Sequence, residues 1–292
     1  MSGIEVSIII PTYNSEKYID RVLKKLFSAK TEIPFEVLVI DGCSSDKTVD
    51  ICSEYNVRIY NNQKVHAAAA RNIGITNSVG KICAFIDSDC IPCDDWIDII
   101  YNEFNKDVNL VAIGGKMVAL TPVNRIERFC GNIFLHEIMR FDNQRTRVNS
   151  IGLTSAFITA NAAYTRTSLQ SLNGFIEQFA NYGEDIDLYW RCLRLYKGSM
   201  LYVPELVVQH SFPSTIIGLV KKYHQYGIAS SMLTKAHSPK RVHIDYRLYV
   251  KLIIKCITII LNPIENALYI LQITSHLCGK IYGSYKCRTI NL

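Results

Sequence analysis

Two aspartates, Asp87 and Asp89, stand one residue apart directly after the apolar run Ile82–Ile86. At the end of a buried strand, side chains at positions i and i+2 point to the same face and can share one crevice. Carboxylate oxygens, together with substrate phosphates, are the ligands that Mg²⁺ and Mn²⁺ prefer. Acidic turns are also common without a metal, but the position behind a buried strand favours a divalent-cation site.

A second acidic cluster occupies residues 183–187, with the sequence GEDID. Glu184, Asp185 and Asp187 precede a helical pattern over Leu188–Leu195, and acids at a helix start are stabilised by the helix dipole. That explanation accounts for the acids but not for the glycine before them. The alternative is a general base, because a carboxylate with a like charge beside it tends to have a raised pKa.

Arg71 and His210 each have one chemical and one structural interpretation. Arg71 follows the alanine run Ala67–Ala70 on a predicted helix. It is either a cation aimed at a diphosphate or part of a solvated helix face. His210 follows an apolar strand pattern, and is either a metal ligand beside the aspartate pair or a hydrogen-bonded histidine at a strand edge.

The elements that must position these residues alternate between strand and helix. Apolar, β-branched runs predict buried strands, and helical spacing between them predicts helices. The predicted strands are Val6–Ile10, Phe35–Ile40, Val57–Tyr60, Ile82–Ile86, Val111–Val118, Ala156–Tyr164, Met200–Val203 and Leu206–Gln209. Helices are predicted over Ser15–Ala29 and Ala67–Ser78, and a further helix between them is predicted to begin after the turn at 41–46, with Ser45 or Asp46 as its N-cap. This alternation predicts an α/β fold with a mostly parallel central sheet and helices on both faces.

Three of the predicted strands end in polar motifs: PTYN at 11–14, DGCSSD at 41–46 and DSD at 87–89. In open α/β sheets, ligands bind beyond the carboxyl ends of the strands, so these motifs are expected to converge on one site. The glycine-rich GxGxxG and GxxxxGK[ST] motifs are absent from the sequence, which excludes the usual dinucleotide and P-loop cradles.

Charge divides the 292-residue chain into two unlike parts. Residues 213–292 carry 11 Lys and Arg against 2 Asp and Glu, a balance of +9, whereas the other 21 basic and 24 acidic residues give 1–212 a balance of −3. Basic and aromatic residues interleave in residues 213–292. This pattern is found in nucleic-acid-binding segments and on solvated helix faces. The apolar run Leu248–Leu261 argues against both and favours peripheral contact with an anionic membrane surface. We therefore expect a catalytic domain over 1–212, a membrane-associating helical segment over 213–292, and no nucleic-acid partner.

The cysteines and the N-terminal sequence indicate the cellular compartment of the protein. The start MSGIEVSIII has no basic region or small-residue cleavage site, so we expect a cytoplasmic protein, located at the cytoplasmic face of a membrane. Most of the ten cysteines are then expected to be reduced core residues. Cys90 and Cys93 form one close pair, but without a second pair a zinc or redox role is not favoured.

Taken together, these segments resemble family 2 glycosyltransferases, which are inverting enzymes of the GT-A fold. The matching segments, in chain order, are SIIIPTYN (7–14), VLVIDGCSSDKT (37–48), AARNIGI (69–75), AFIDSDCIPCDDW (84–96), NGFIEQF (173–179), GEDIDLYWR (183–191) and VPELVVQHSF (203–212). One such motif is a weak signal, whereas seven in order are specific. The resemblance implies transfer of a sugar from a nucleotide-diphosphate sugar, with UDP or GDP as the nucleotide, to an acceptor hydroxyl.

The resemblance also implies roles on the donor side. Pro11, Tyr13 and Asn14 match the loop that meets the nucleotide. Asp41 matches the acid that contacts the base, and Ser44 lies beside it.

Four further residues match positions around the sugar nucleotide and its metal. Arg71 matches a residue near the donor pocket, and Asp87 matches the ribose-side carboxylate. Asp89 matches the ligand of a divalent cation, Mn²⁺ or Mg²⁺. His210 matches a histidine that in several relatives helps to bind metal or diphosphate.

The reaction itself is assigned by the same resemblance. Asp185 matches the catalytic base, and Glu184 its acidic neighbour near the acceptor. Deprotonation of the acceptor hydroxyl by Asp185, with attack on C1 from the face opposite the diphosphate, inverts the anomeric centre in one displacement. A divalent cation offsets the charge that develops on the leaving diphosphate. The basic tail makes a lipid-linked or envelope-glycan acceptor the expected one.

Two other functions remain open at the level of sequence. A sugar-1-phosphate nucleotidyltransferase would share the fold neighbourhood, but it needs a glycine-rich loop with Arg and Lys after the first strand, and PTYNSEKY lacks one. A non-catalytic protein that binds a nucleotide sugar or a membrane would also fit the charge pattern. The intact acids at 87, 89 and 185 favour catalysis.

Overall fold

A computed structural model of the chain describes residues 3–135, 143–150, 157–238 and 242–292. These residues form two compact units: Met1–Leu120 with Leu135–His210, and Thr121–Phe134 with Ser211–Leu292. The second unit therefore includes a helical segment from the middle of the chain besides the C-terminal region. The functional division at residue 212 stays a prediction.

The elements follow the alternation that the sequence predicts. The strands are β1 (Val6–Thr12), β2 (Phe35–Asp41), β3 (Arg58–Asn61), β4 (Ile82–Phe85), β5 (Cys90–Pro92), β6 (Ala112–Ala119), β7 (Thr146–Arg147), β8 (Ala162–Thr165), β9 (Met200–His210), β10 (Val242–His243) and β11 (Ile290–Asn291). The helices are α1 (Ile19–Phe27), α2 (Thr48–Ser53), α3 (Ala67–Asn77), α4 (Trp96–Lys106), α5 (Arg125–Ile133), α6 (Arg166–Ser171), α7 (Glu184–Leu195), α8 (Ile216–His237), α9 (Tyr246–Ile257) and α10 (Pro263–Cys287).

The first unit is built on one sheet with the strand order β3-β2-β1-β4-β8-β6-β9-β5. The half formed by β3, β2, β1 and β4 is parallel. In the other half, β8 runs antiparallel to both β4 and β6, β9 is parallel to β6, and β5 and β7 run antiparallel to β9. The α/β class, the central sheet flanked by helices and the C-terminal helical segment are confirmed, with the parallel pairing concentrated in the half that carries the first three motifs.

The core of the first unit follows from the apolar strands. Ile8, Ile9 and Ile10 are fully buried, as expected for a strand covered on both faces. Helix α3 packs against β1 and β2 on this sheet. It comes close because Gly74 faces Ile9, where an added Cβ would lie 2.4 Å from Ile9 Cγ2. The burial of β1 and α3 holds the loops at their ends in fixed positions.

Two strand predictions need correction. The predicted strand Ala156–Tyr164 begins only at Ala162, because Thr159–Asn161 form a single 3₁₀ turn; residue 156 lies outside the described residues. The two predicted strands after residue 200 are one strand, β9, whose register against β6 shifts between Gly115 and Lys116. Pro204 lies in the unpaired stretch of β9, where its missing N–H costs no ladder hydrogen bond.

The second unit consists mainly of helices. Helices α8 and α10 approach closely at glycines: an added Cβ at Gly227 would lie 2.1 Å from His276 O, and one at Gly279 would lie 2.0 Å from His224 O. Ser231 Oγ donates a hydrogen bond of 3.0 Å to Lys280 O across the same contact. Two short strands, β10 and β11, pair in parallel. Among the described residues, no helix has both the length and the apolar character needed to cross a membrane.

Candidate active site

Asp41 lies at the carboxyl end of β2, and its carboxylate is held from two sides. The parallel register places Thr12 beside Asp41, and Thr12 Oγ1 donates to Asp41 Oδ1 over 2.9 Å. The Ser44 hydroxyl donates to Oδ1 (2.6 Å) and the Ser44 backbone N–H donates to Oδ2 (2.8 Å). Asp41 and Ser44, predicted as neighbours, form one partly buried hydrogen-bonded pair at the strand end.

The loop after β1 is locked onto the loop after β2 by Asn14. Asn14 adopts the left-handed conformation (φ 48°), which asparagine tolerates better than most residues. Its backbone N–H donates to Ser44 Oγ (2.8 Å), and its side-chain Oδ1 accepts from the Ser45 N–H (2.9 Å). Pro11 is half-buried within β1, whereas Tyr13 is exposed with 58% of its surface accessible. The arrangement fixes the backbone and leaves the Tyr13 ring free to contact a planar ligand.

The aspartate pair joins the same edge of the sheet. Ile86 continues beyond β4, with its N–H donating to Ile9 O (3.3 Å), so Asp87 emerges beside the end of β1. Ser15 Oγ and Ser88 Oγ share a hydrogen bond of 2.9 Å, which ties the loop after β1 to the DSD loop. The three strand-end motifs therefore converge, as the sequence predicts.

Arg71 joins this edge to the second acidic cluster. Its guanidinium donates to Asp87 Oδ1 over 2.8 Å and to Glu184 Oε1 over 2.6 Å, and it lies 5.7 Å from the centre of the Phe175 ring. The Arg71 side chain is only 4% exposed. The prediction that Arg71 lies on a solvated helix face is therefore wrong. Its guanidinium binds the carboxylates of Glu184 and Asp87, which are 113 and 16 positions away in the chain.

The helix that carries Arg71 is fixed at its N-terminus by the loop that leads into α7. The Ala67 N–H donates to Asn181 Oδ1 (2.8 Å), and the Ala68 N–H donates to Ala180 O (2.9 Å). Asn72, next to Arg71, accepts from the Phe175 N–H and donates to Phe175 O (2.8 and 2.9 Å). Arg71 and the acids of α7 thus belong to one connected framework.

Helix α7 begins at Glu184, directly after Gly183. Gly183 is left-handed (φ 90°), which explains why a glycine precedes the acids. Glu184 is buried and Asp185 is partly buried, with Asp185 Oδ1 accepting from the Ile186 N–H over 2.8 Å. Burial raises the pKa of both carboxyls, against the opposing effect of the Arg71 cation. Asp187 differs from both, because it pairs with Arg191 (2.7 Å), which also donates to Leu172 O and Gly174 O.

His210 reaches the aspartate pair through the pairing of β9 with β5. The register sets His210 opposite Cys90, and His210 Nε2 lies 3.8 Å from Asp89 Oδ1. Ligand atoms of Asp89, Cys90 and His210 all lie within 4.8 Å of one another. Two ligands of one ion are separated by roughly 3 Å when adjacent and roughly 4 Å when opposite.

The donor set fits a hard divalent cation held by Asp89 and His210. Burial raises the pKa of the Cys90 thiol, which keeps it protonated and unsuited to such a cation. Asp87 precedes Ser88 in the chain, and its Oδ1 accepts a hydrogen bond from Arg71.

Several residues that shape the site have no individual role predicted from the sequence. Ser15, Ser88, Asn72 and Phe175 are ordinary residue types, and their roles come from contacts between distant segments. The sequence Asn173-Gly174-Phe175 does indicate a turn. Asn173 and Gly174 are both left-handed (φ 55° and 63°), and the turn that they form places the Phe175 ring against the Arg71 guanidinium.

The glycosyl transferase family 2 model matches residues 7–172 of the chain. The chain belongs to glycosyl transferase family 2. It is 36% identical over 264 residues to the dolichyl N-acetyl-α-D-glucosaminyl phosphate 3-β-D-2,3-diacetamido-2,3-dideoxy-β-D-glucuronosyltransferase of Methanococcus voltae, covering 79% of this chain and 74% of that enzyme. It is 26% identical over 240 residues to the chondroitin synthase of Pasteurella multocida, covering 70% of this chain but only 25% of the synthase.

The fold of this family 2 member also matches a solved structure. Glucosyl-3-phosphoglycerate synthase from Mycobacterium tuberculosis, in complex with Mn²⁺, UDP and glucosyl-3-phosphoglycerate, superposes with a TM-score of 0.59 at 17% identity, covering 79% of this chain and 78% of that one. The GT-A fold predicted from the motifs is confirmed, and so is the family of glycosyltransferases. The roles of the individual residues stay predictions.

Proposed function

We propose that this chain is an inverting glycosyltransferase that moves a sugar from a nucleotide-diphosphate sugar to an acceptor hydroxyl. The observation that carries the proposal is the double contact of Arg71, with Asp87 on the donor side and Glu184 beside Asp185 on the other. A single buried guanidinium thereby holds the two acidic motifs in one site. Such fixed groups lower the barrier because they need not reorganise during the reaction.

Asp185 is the proposed general base. It lies in the first turn of α7, next to the buried Glu184, and is itself only partly buried, so it remains accessible to an acceptor hydroxyl. Its raised pKa makes it a stronger base than a solvated aspartate. Glu184, bound to Arg71, acts as a positioning residue.

The nucleotide is assigned to the loops after β1 and β2. Asp41 has two rigidly oriented oxygens suited to a base N–H, and the exposed Tyr13 ring offers a stacking surface. Ser44 holds Asp41 by hydrogen bonds, and Asn14 ties the loop that carries Tyr13 to Ser44. Pro11, near the end of β1, is proposed to line the nucleotide site. The structural neighbour solved with UDP supports a uridine nucleotide as the first to test.

The proposed metal ligands are Asp89 and His210. A divalent cation bound there, Mn²⁺ or Mg²⁺, would neutralise the charge that develops on the diphosphate leaving group. The neighbour solved with Mn²⁺ supports this assignment. Asp87 remains bound to Arg71 and is proposed to face the ribose.

We also propose that the acceptor is lipid-linked or part of an envelope glycan, reached at the cytoplasmic face of a membrane by peripheral contact. The support is the +9 balance of residues 213–292. A cationic segment gains roughly 1 kcal/mol per Lys or Arg near an anionic leaflet.

The test is incubation with UDP- and GDP-sugars in the presence and absence of Mn²⁺, with the anomeric configuration of the product read by NMR. We expect metal-dependent release of the nucleoside diphosphate and an inverted anomer. A matched Asp89→Ala variant should lose metal-dependent donor binding in calorimetry. A product of retained configuration, or donor binding to Asp89→Ala that equals wild type, would contradict the proposal.

A further inference from the structure

Helix α9 carries a row of apolar side chains on its outer surface. Within the described residues none of its twelve side chains is buried, and Val250, Ile253, Ile254 and Ile257 are each more than half exposed. Residues spaced by three and four positions lie on one side of a helix, so these four form one stripe. The stripe continues past the helix through Ile260, Leu261 and Ile264, which are 87%, 83% and 52% exposed.

A row of cations runs along one edge of this stripe. Arg247, Lys251 and Lys255 stand four residues apart and therefore line up along α9. The ammonium groups of Lys251 and Lys255 lie 5.0 and 4.1 Å from the centre of the Tyr269 ring on α10. The row is thus held at the boundary between α9 and α10, beside the apolar stripe rather than opposite it.

Helix α9 is attached to α10 along the row of cations. Besides the two cation–ring contacts, Asn266 on α10 donates to Thr258 O over 2.7 Å, just after α9 ends. Packing of α9 against α10 therefore fixes the direction in which the stripe faces. An exposed apolar surface of this extent, rimmed by cations, marks an interaction site.

We propose that α9 and the turn over 258–264 bind in the interface plane of a bilayer that contains anionic lipid. This inference rests on the membrane contact proposed above and identifies the surface that makes it. Apolar side chains enter the acyl boundary while Arg247, Lys251 and Lys255 meet the headgroups, as in amphipathic interfacial helices. A helix of twelve residues is roughly 18 Å long, too short for the roughly 30 Å hydrocarbon core, so it lies along the surface.

Charge selects the bilayer over a second copy of the chain as the occupant. Residues 213–292 carry only two acids, Asp245 and Glu265, against eleven cations. A second copy would present the same excess of positive charge, whereas an anionic bilayer presents the opposite sign.

The test is co-sedimentation of the full chain with phosphatidylcholine vesicles that contain or lack phosphatidylglycerol. Wild type should bind the anionic vesicles preferentially, and added salt should weaken binding. Ile253→Ser and Ile257→Ser should each lower the partition coefficient by roughly tenfold or more, and the double variant further. The matched control is Ile216→Ser with Ile217→Ser, two exposed isoleucines at the start of α8, which should bind as wild type.

A second measurement locates the helix directly. Ile257→Trp should shift its fluorescence to the blue on anionic vesicles and be quenched by brominated acyl chains. Vesicle binding of Ile253→Ser with Ile257→Ser equal to wild type would overturn the assignment to α9, and absence of wild-type binding would overturn the membrane contact itself. Loss of a dimer in these variants without vesicles would identify a second copy as the occupant and overturn the proposal. None of these outcomes depends on turnover, so donor transfer measured with a soluble acceptor judges the enzymatic proposal separately.

Discussion

In the first unit, the Arg71–Glu184 ion pair of the site is buried, whereas in the second unit the cations of α9 lie beside apolar side chains on the surface. Arg71 and Glu184 are 4% and 5% exposed and are joined at 2.6 Å. The α9 stripe instead leaves its isoleucines more than half exposed. Buried charges need exact partners, since an unpaired one is costly, whereas surface cations are individually worth little.

The two regions depend on different kinds of interaction. The carboxylates of the site in the first unit are positioned by a few strong directional contacts. Removal of one partner should therefore change the positions and the stability of the residues bound to it. The membrane contact proposed for α9 would depend on summed apolar area and charge, so each residue of that surface should contribute a similar increment.

The largest effect is expected from Arg71→Met. It leaves Glu184 and Asp87 without their shared cation, and breaking a buried ion pair costs roughly 3–5 kcal/mol of unfolding free energy. Urea denaturation measures this, with Arg71→Lys as the variant that keeps the charge but loses the two-pronged contact and should fall between. The control is Arg58→Met, because Arg58 is 44% exposed in its pair with Glu36 and should cost about 1 kcal/mol or less. Equal losses for Arg58→Met and Arg71→Met would show that burial of the Arg71 pair adds nothing to its contribution to stability.

Asp185→Asn should lower kcat by at least roughly 10²-fold, as expected for loss of a general base. Because burial disfavours the charge of Asp185, the neutral amide should leave the unfolding free energy unchanged or higher at neutral pH. Asp187→Asn on the same helix is the matched control. It removes the fully buried partner of Arg191, so it should lose stability while most of kcat remains. Near-full turnover in Asp185→Asn would refute the role of Asp185.

Gly279→Ala tests the packing that supports the second unit. Its Cβ would meet His224 O at 2.0 Å, so α8 and α10 must separate, at a cost of roughly 1–3 kcal/mol. Thermal unfolding measures the loss, and Gly3→Ala, where no atom lies within 4 Å of the added Cβ, is the control. An unchanged unfolding temperature in Gly279→Ala would show that the two helices are less closely packed than described.

The fold was largely predictable because β-branched runs and glycine turns act locally. The runs that begin at Val6, Phe35 and Ile82 became β1, β2 and β4 with starts at the same residues. The position of β8 between β4 and β6 was not predictable, because a strand pattern states that a strand forms and not which neighbours it pairs with.

The residues of the candidate site were likewise only partly predictable from the sequence. Asp41, Asp87 and Asp89 could be placed from the sequence because each follows a recognisable strand. The pairing of Arg71 with Glu184 spans 113 positions and depends on the turns at Asn173, Ala180 and Gly183, all with positive φ. Residue types at these positions indicate a turn but not its direction, so the partner of Arg71 required the folded chain.

The smallest effect is expected in the pH dependence of turnover. Asp185 must be deprotonated to accept the acceptor proton, and burial raises its pKa above the ordinary value of 3.8. The kcat of wild type should therefore rise with pH through a midpoint above that of a solvated aspartate. Measurement of kcat at saturating donor and Mn²⁺ separates this limb from the protonation of metal ligands. Arg71 opposes the shift, so Arg71→Met should move the acid limb to still higher pH, while Arg58→Met leaves it in place. An acid limb that Arg71→Met does not move would contradict the effect of Arg71 on the pKa of Asp185 and would leave the buried cation with a role in stability.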